Sequence, residues 1–235
     1  MMIKPNDPTR AGSAPVPQTG NPAHLSLSEI QALCFKAARG AGHDWGHAEE
    51  AGWAAAWLAA AGLPGPALLL AWLRETDLAA PLPARDRWTT SGRRQCPLRT
   101  GVALADHAAL PEGPGVTPLV LENLAHPAII LPFVARAAHR IGSRLLVRCG
   151  AGMIDPCSGR LSRTPSDSAC LGTAPIDLII LREDGITTNP PTPAPHYGVI
   201  SLLHWQALDA LALRITVPPS AQSRTGAGAE GGDND

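Results

Sequence analysis

The segment Trp45–Ala61, WGHAEEAGWAAAWLAAA, constrains this chain more than any other. Alanine is the strongest helix former, and Trp45, Trp53 and Trp57, eight and four residues apart, share one stripe with Glu49. Asp44 offers an N-cap, and Gly62-Leu63-Pro64-Gly65 ends the run. A first helix begins near Ser26–Ser28 with Glu29 in its first turn, carries Ile30, Leu33, Cys34, Ala37 and Ala38, and stops at Gly40-Ala41-Gly42. A third, over 66–76, is apolar nearly all round and is expected to be buried.

Composition fixes the class. Hydrophobic residues are 45% of 235, which supports a core, while charged residues are only 17%. Aromatics are 4% and six of them are Trp, so the core is mainly Leu, Ala, Ile and Val. A net charge of −1 gives no reason to expect a nucleic-acid partner. Of the 19 basic residues only Lys4 and Lys36 are Lys, a bias that a GC-rich bacterial genome produces by itself. Five cysteines (Cys34, Cys96, Cys149, Cys157, Cys170) form no CxxC pair, which suits a reducing cytoplasm and disfavours a thiolate zinc site. The first residues have no signal-peptide pattern. No apolar run approaches the roughly 18 residues of a membrane span. The expectation is a soluble cytoplasmic protein with no membrane contact.

Residues 1–24 read as a Pro-rich disordered leader, 25–217 as a single domain, and 218–235 as a polar Gly-rich tail. Between 77 and 115 Gly and Pro break every periodicity, and no regular element is expected there. Apolar runs at Thr117–Leu121, Arg144–Cys149 and Ile176–Leu181 read as strands. PFVARAAHRI (132–141) and ISLLHWQALDALAL (200–213) read as helices, and Arg214–Val217 as an edge strand. Helices first and then mixed strands and helices give an α+β class, a helical layer packed on a small mixed sheet.

Several side chains are candidates for chemistry. Glu49 shares the stripe of Trp45, Trp53 and Trp57. An aromatic face would desolvate a carboxylate and raise its pKa toward acid–base use, whereas a dipole-complementing acid is the structural alternative. His43 and His47 stand four apart but lack an HExxH-like pattern and a third ligand, so no metal is assigned. Cys96, in Cys96-Pro-Leu-Arg99-Thr-Gly101, is a candidate nucleophile beside Arg99; a buried turn thiol is the structural alternative. Arg99 with Arg93 and Arg94 can grip a carboxylate or phosphate. Arg136, Arg140, Arg144 and Arg148 read as a solvated charged face. No P-loop, dinucleotide or GxSxG fingerprint occurs.

GAGHDWGHAEEAGWAAAWLAAAGLPG (40–65), CPLRTG (96–101), PFVARAA (132–138) and RITVPPSAQSRTGAGA (214–229), in this order, resemble an uncharacterised proteobacterial family catalogued as a domain of unknown function, DUF3726. The resemblance runs over roughly 25–235 and brings no activity or cofactor with it. It draws attention to Trp45, Gly46, Glu49, Glu50, Cys96, Arg99, Arg214, Ser220, Ser223 and Arg224, and it makes the tail a candidate to dock on a surface or close over a ligand. Two functions follow. One is an accessory protein of a metabolic enzyme, with a protein partner or a homo-oligomeric contact. The other is a small enzyme or binding domain for a carboxylated metabolite, with Glu49 as acid–base and Arg99 and Arg224 as anion clamp. The cofactor is left unassigned.

Overall fold

A computed structural model describes residues 22–115, 117–158, 168–183 and 196–216. The chain enters through β1 (Ala23–Ser26) and turns directly into α1 (Leu27–Gly40). Ser26 caps α1 by accepting from the Glu29 N–H at 3.2 Å, while Glu29 accepts from the Ser26 N–H at 2.8 Å, so two otherwise unpaired donors are satisfied reciprocally. Helix α2 (Trp45–Ala60) is capped by Asp44, whose Oδ1 accepts from the His47 N–H at 2.9 Å. Helix α3 (Gly65–Leu73) carries a proline in its first turn.

The region 77–115, expected to lack regular structure, instead holds β2 (Leu78–Ala79), β3 (Arg87–Trp88), β4 (Arg94–Gln95) and α4 (Pro97–Asp106). The strands are two residues long, too short to print a period of two in the sequence. Pro97 opens α4 because a first-turn residue has no intrahelical N–H bond to lose. Then follow β5 (Leu119–Leu124), a 3-10 turn at Pro127–Ile130, α5 (Leu131–Ile141), β6 (Arg144–Cys149), β7 (Gly152–Ile154), α6 (Ser168–Leu171), β8 (Ile176–Glu183), β9 (Tyr197–Ile200) and α7 (Leu202–Ala212). The expected edge strand at 214–217 is a 3-10 turn over Leu213–Ile215, in which α7 winds down, and Val217 lies outside the described residues.

The main sheet is mixed, in the order β2-β4-β5-β8-β6-β7, with β3 also paired to β5. Strands β2, β3, β4 and β5 run parallel where they pair, whereas β8 is antiparallel to β5 and β6, and β6 to β7. A separate two-stranded ribbon joins β1 to β9, antiparallel. Both helices and a mixed sheet are present, so the protein is α+β. Helix α1 packs on α2 and α7; α2 packs in turn on α3, α4, α5 and β9; α5 packs on β6. The helical layer therefore meets the sheet through α4 and α5.

From Ala48 onward α2 is buried on most of its circumference, with Ala48, Ala51, Ala54, Ala55 and Leu58 inaccessible. Small side chains let α1 come close. A Cβ placed on Gly52 would stand 2.6 Å from the Gln31 carbonyl oxygen of α1, a backbone atom that cannot step aside. One further clamp fixes α2 to α5. Arg136 Nη1 donates to both Glu50 oxygens at 2.9 and 2.8 Å, and its guanidinium carbon lies 3.6 Å from the Trp53 ring centroid. Trp53 also meets Phe133 edge to face at 5.3 Å.

Gly52→Ala is therefore expected to destabilise the fold even though it adds only a methyl group. Overpacking of this kind costs about 1–3 kcal/mol. At about 2–4 °C per kcal/mol for a chain of this size, a fall of several degrees should appear in thermal unfolding followed by circular dichroism. An unchanged or higher Tm would show that α1 and α2 are further apart than this packing requires.

Candidate functional site

The residues singled out in the sequence are distributed over three places. Trp45 is 61% exposed, and its indole Nε1–H donates to Glu49 Oε1 at 2.8 Å. Glu49 is itself exposed, so the aromatic stripe does not bury its carboxylate. In the first turn of α2 the Trp45 ring meets Phe35 of α1 edge to face at 5.1 Å, while the Glu49 carboxylate stays in solvent. His43 and His47 part company: His43 stacks on Trp72 with centroids 4.6 Å apart, while His47 Nδ1 pairs with Asp44 Oδ2 at 2.6 Å. Arg214 is exposed in the turn after α7, a turn that packs on α1. Ser220, Ser223 and Arg224 lie outside the described residues.

Cys96 and Arg99 lie together at the start of α4, which begins where β4 ends. Cys96 is the N-cap residue and is buried; its backbone N–H donates to the Ala79 carbonyl at 2.8 Å. The indole N–H of Trp72 donates to Sγ, and the backbone N–H groups of Leu98 and Arg99 face the sulfur without closing a regular capping bond. Burial nevertheless dominates and pushes the Cys96 thiol up, so it rests protonated. Arg99 is exposed, and no carboxylate among the described residues pairs with it. By contrast, Arg94 donates to Glu75 at 2.8 Å and Arg93 Nε to Asp77 at 2.6 Å, so neither of those arginines is available as a partner for Arg99.

The next strand over contributes a residue that sequence reasoning missed. His126 stands two residues past the rung where Gln95 of β4 faces Leu124 of β5, and between them the Ala125 N–H donates to the Gln95 carbonyl at 3.2 Å. Its backbone is left-handed, φ 45° and ψ 58°, an uncommon conformation for a residue with a side chain. The ring is buried. Nε2 lies 3.4 Å from Glu75 Oε1, whereas Nδ1 has no hydrogen-bond partner. Burial, opposed by Glu75, holds the imidazole below the ordinary histidine value. The hydrogen bond from Arg94 holds Glu75 below the usual carboxylate range.

Strain and polar satisfaction meet at the same strand ends. Asn123, two residues before Ala125, is also left-handed at φ 51° and sits in the irregularity of β5 between Leu121 and Leu124. Beneath it Gln95 is fully buried and fully used: Nε2 donates to the Trp88 and Glu122 carbonyls at 2.8 and 2.7 Å, and Oε1 accepts from Thr100 at 3.1 Å. Left-handed non-glycine residues that persist in a well-tied framework cluster at functional sites. The sequence signal for His126 was present but weak: a histidine placed between an apolar strand and a proline.

The histidine has a consequence for stability. Because its folded pKa lies below the ordinary value near 6.5, the unfolded chain binds the proton first. The stabilisation is complete above pH 6.5 and is lost as pH falls below it. Glu75, which approaches His126 from the end of α3, acts only below about 4.5, and Arg94 of β4 does not titrate in this range. His43, lowered chiefly by burial, adds to the same window. Chemical denaturation at pH 7.5, 6.5 and 5.5 should show falling stability, and His126→Gln should flatten that slope. An unchanged slope in His126→Gln would show that His126 is not held neutral by burial.

No curated protein and no solved structure matches the chain. Among the described residues there is no helix long and apolar enough to cross a membrane and no cluster of three or more metal-ligating side chains. Residues 25–108, from β1 through α4 and so including Glu75, Cys96 and Arg99 but not His126, match the model of an uncharacterised family described as protein of unknown function (DUF3726).

Proposed function

We propose that the chain is a cytoplasmic bacterial domain that binds a small carboxylated metabolite at the carboxyl ends of β4 and β5 and acts on it by acid–base chemistry. His126 carries this reading: a buried imidazole in a left-handed backbone, one nitrogen facing Glu75 and the other without a partner. A buried polar atom without a partner calls for one, and the ends of parallel strands are where open sheets place ligands. With Nε2–H given to Glu75, Nδ1 is the nitrogen left to take or release a proton. Arg99 supplies charge for the ligand's carboxylate, because it is exposed, stands in the first turn of α4 and has no acidic neighbour in that turn. Glu49, in solvent and bonded to Trp45, fits the acid–base role less well than His126. The reading does not depend on Arg214, Ser220, Ser223 or Arg224.

A second reading, an accessory protein or homo-oligomer, is favoured by one observation. Tyr197 and Val199 on β9 and Leu203, Leu213 and Ile215 on and after α7 are all exposed. Exposed apolar side chains grouped on neighbouring elements mark contact surfaces. Under this reading Val199→Glu would dissociate a complex that sedimentation detects in the wild type.

For the first reading, small acids such as succinate and pyruvate are expected to raise the Tm. A ligand at a hundred times its Kd adds about 2.7 kcal/mol, or about 5–10 °C here. Arg99→Ala should abolish the shift and Glu49→Gln should leave it. A flat response to every acid tested, with the protein folded, would sink the reading.

A further inference from the structure

We infer that Cys96, His126 and Glu75 form a nucleophile–base–orienter set for acyl transfer from an ester or thioester of a small acid; this rests on the ligand site proposed above. Two separate constraints place Cys96 and His126 at the same end of the sheet. In the sheet, Gln95 of β4 faces Leu124 of β5, and Cys96 and His126 each follow that rung at the same end. Against the helix, Trp72 donates to Cys96 Sγ while Glu75, three residues on, faces His126 Nε2. The Glu75 N–H donates to the Trp72 carbonyl at 2.9 Å, so the two residues belong to the single turn that closes α3. That turn contacts both groups.

The orientation of the ring adds to this. Glu75 occupies the Nε2 edge, which leaves Nδ1, the nitrogen next to the ring's own attachment to the backbone. The chain lying alongside that backbone is Gln95-Cys96, since Ala125 N–H donates to the Gln95 carbonyl. Nδ1 is buried and unpartnered. It makes no hydrogen bond to Sγ in the free protein; catalytic bonds are often long in free enzymes and shorten when substrate is bound.

Sγ is surrounded by donors. The Trp72 indole N–H, the backbone N–H groups of Leu98 and Arg99, and the Arg99 guanidinium all favour negative charge on it. Its burial opposes that charge, so the resting thiol needs a base. In the first step the Sγ proton passes to Nδ1 as Sγ bonds to the acyl carbon. The bond from that carbon to the leaving oxygen or sulfur then breaks, and the leaving group takes the proton from Nδ1. Water next attacks the Cys96 thioester and gives a proton to Nδ1. The C–S bond breaks, the acid departs, and Sγ recovers its proton from Nδ1. No oxidant or further reactant is needed. Cys96 and His126 are the catalytic residues in this sequence, and Glu75 is a positioning residue.

The test uses the full chain and p-nitrophenyl acetate as probe, read by intact mass and peptide mapping. Acetyl is expected on Cys96 ahead of Cys34, Cys149, Cys157 and Cys170, with a rate that falls as pH is lowered. His126→Gln should cut that rate by at least about tenfold, the lower end of what a general base contributes being larger still. Glu75→Gln should move the acid limb of the rate profile to lower pH, because the carboxylate raises the imidazole's proton affinity; a merely structural role would not move it. Circular dichroism establishes that each variant is folded. Should His126→Gln not fold, the wild-type labelling site and its pH profile with Glu75→Gln decide the matter. Absence of acetyl on Cys96, or a rate unaffected by His126→Gln, overturns the inference. Small acids raising the Tm of Cys96→Ser while no acyl forms on the wild type would overturn the nucleophile and leave the ligand site standing. No Tm response and no acyl would remove both.

Discussion

Helix α2 can lie against α1, α3, α4, α5 and β9 at once only because its buried positions are mostly alanine and glycine. Close approach of backbones replaces the usual interlocking of large side chains, and Gly52 against the Gln31 carbonyl is the tightest example within the hairpin. Dispersion rises steeply as such surfaces close, and interiors tolerate no gaps of methyl size without cost. The same helix then carries its two larger anchors outward. Trp53 and Glu50 hold Arg136 of α5 from two sides, one by its ring and one by its carboxylate. Arginine suits this position because its guanidinium is planar and can stack and donate together. By fixing α5, the clamp also fixes the 3-10 turn before it, and with that turn the position of His126.

The second framework is the buried Gln95. Its amide ties β4 to the Trp88 and Glu122 carbonyls, and its carbonyl oxygen is held by Thr100 of α4. A two-residue strand has too few ladder bonds to define its own register, so a side-chain amide does part of that task. This allows β4 to end abruptly and hand over to Cys96 and α4. It also lets β5 carry its irregularity at Asn123 and the left-handed His126 without loss of alignment.

Much of the helical framework was legible because its signals are local. Ser26 with Glu29 and Asp44 before an apolar period mark helix starts by chemistry that acts within one turn. Strands β6 and β8 were legible from their apolar runs. What was hidden depends on partners far along the chain. Strands β2, β3 and β4 exist only through pairing with one another and with β5. Strand β9 was hidden because its four residues gain their identity from β1, and its last, Ile200, falls within the run that reads as a helix. Glu49 shares a stripe with Trp45, but periodicity cannot say whether an aromatic neighbour covers a carboxylate or only bonds to it, and here Glu49 stays exposed. Cys96 and Arg99 were visible as a pair; Glu75 and His126, 51 residues apart, were not, since only the fold brings them together.

Stability alone does not account for His126. An imidazole in the core must be kept neutral or given partners, and here one nitrogen has a long contact and the other has none. Exposed and half-exposed ion pairs such as Arg94–Glu75 contribute about 0–1 kcal/mol, too little to offset an orphaned buried nitrogen, which costs about 1–3 kcal/mol. The backbone asks for something else again: a left-handed residue between a strand and a proline favours glycine or asparagine. Packing would be served by an aliphatic side chain, and backbone geometry by glycine. Histidine serves neither need best, which is why its buried, unpartnered Nδ1 supports the functional reading proposed for it.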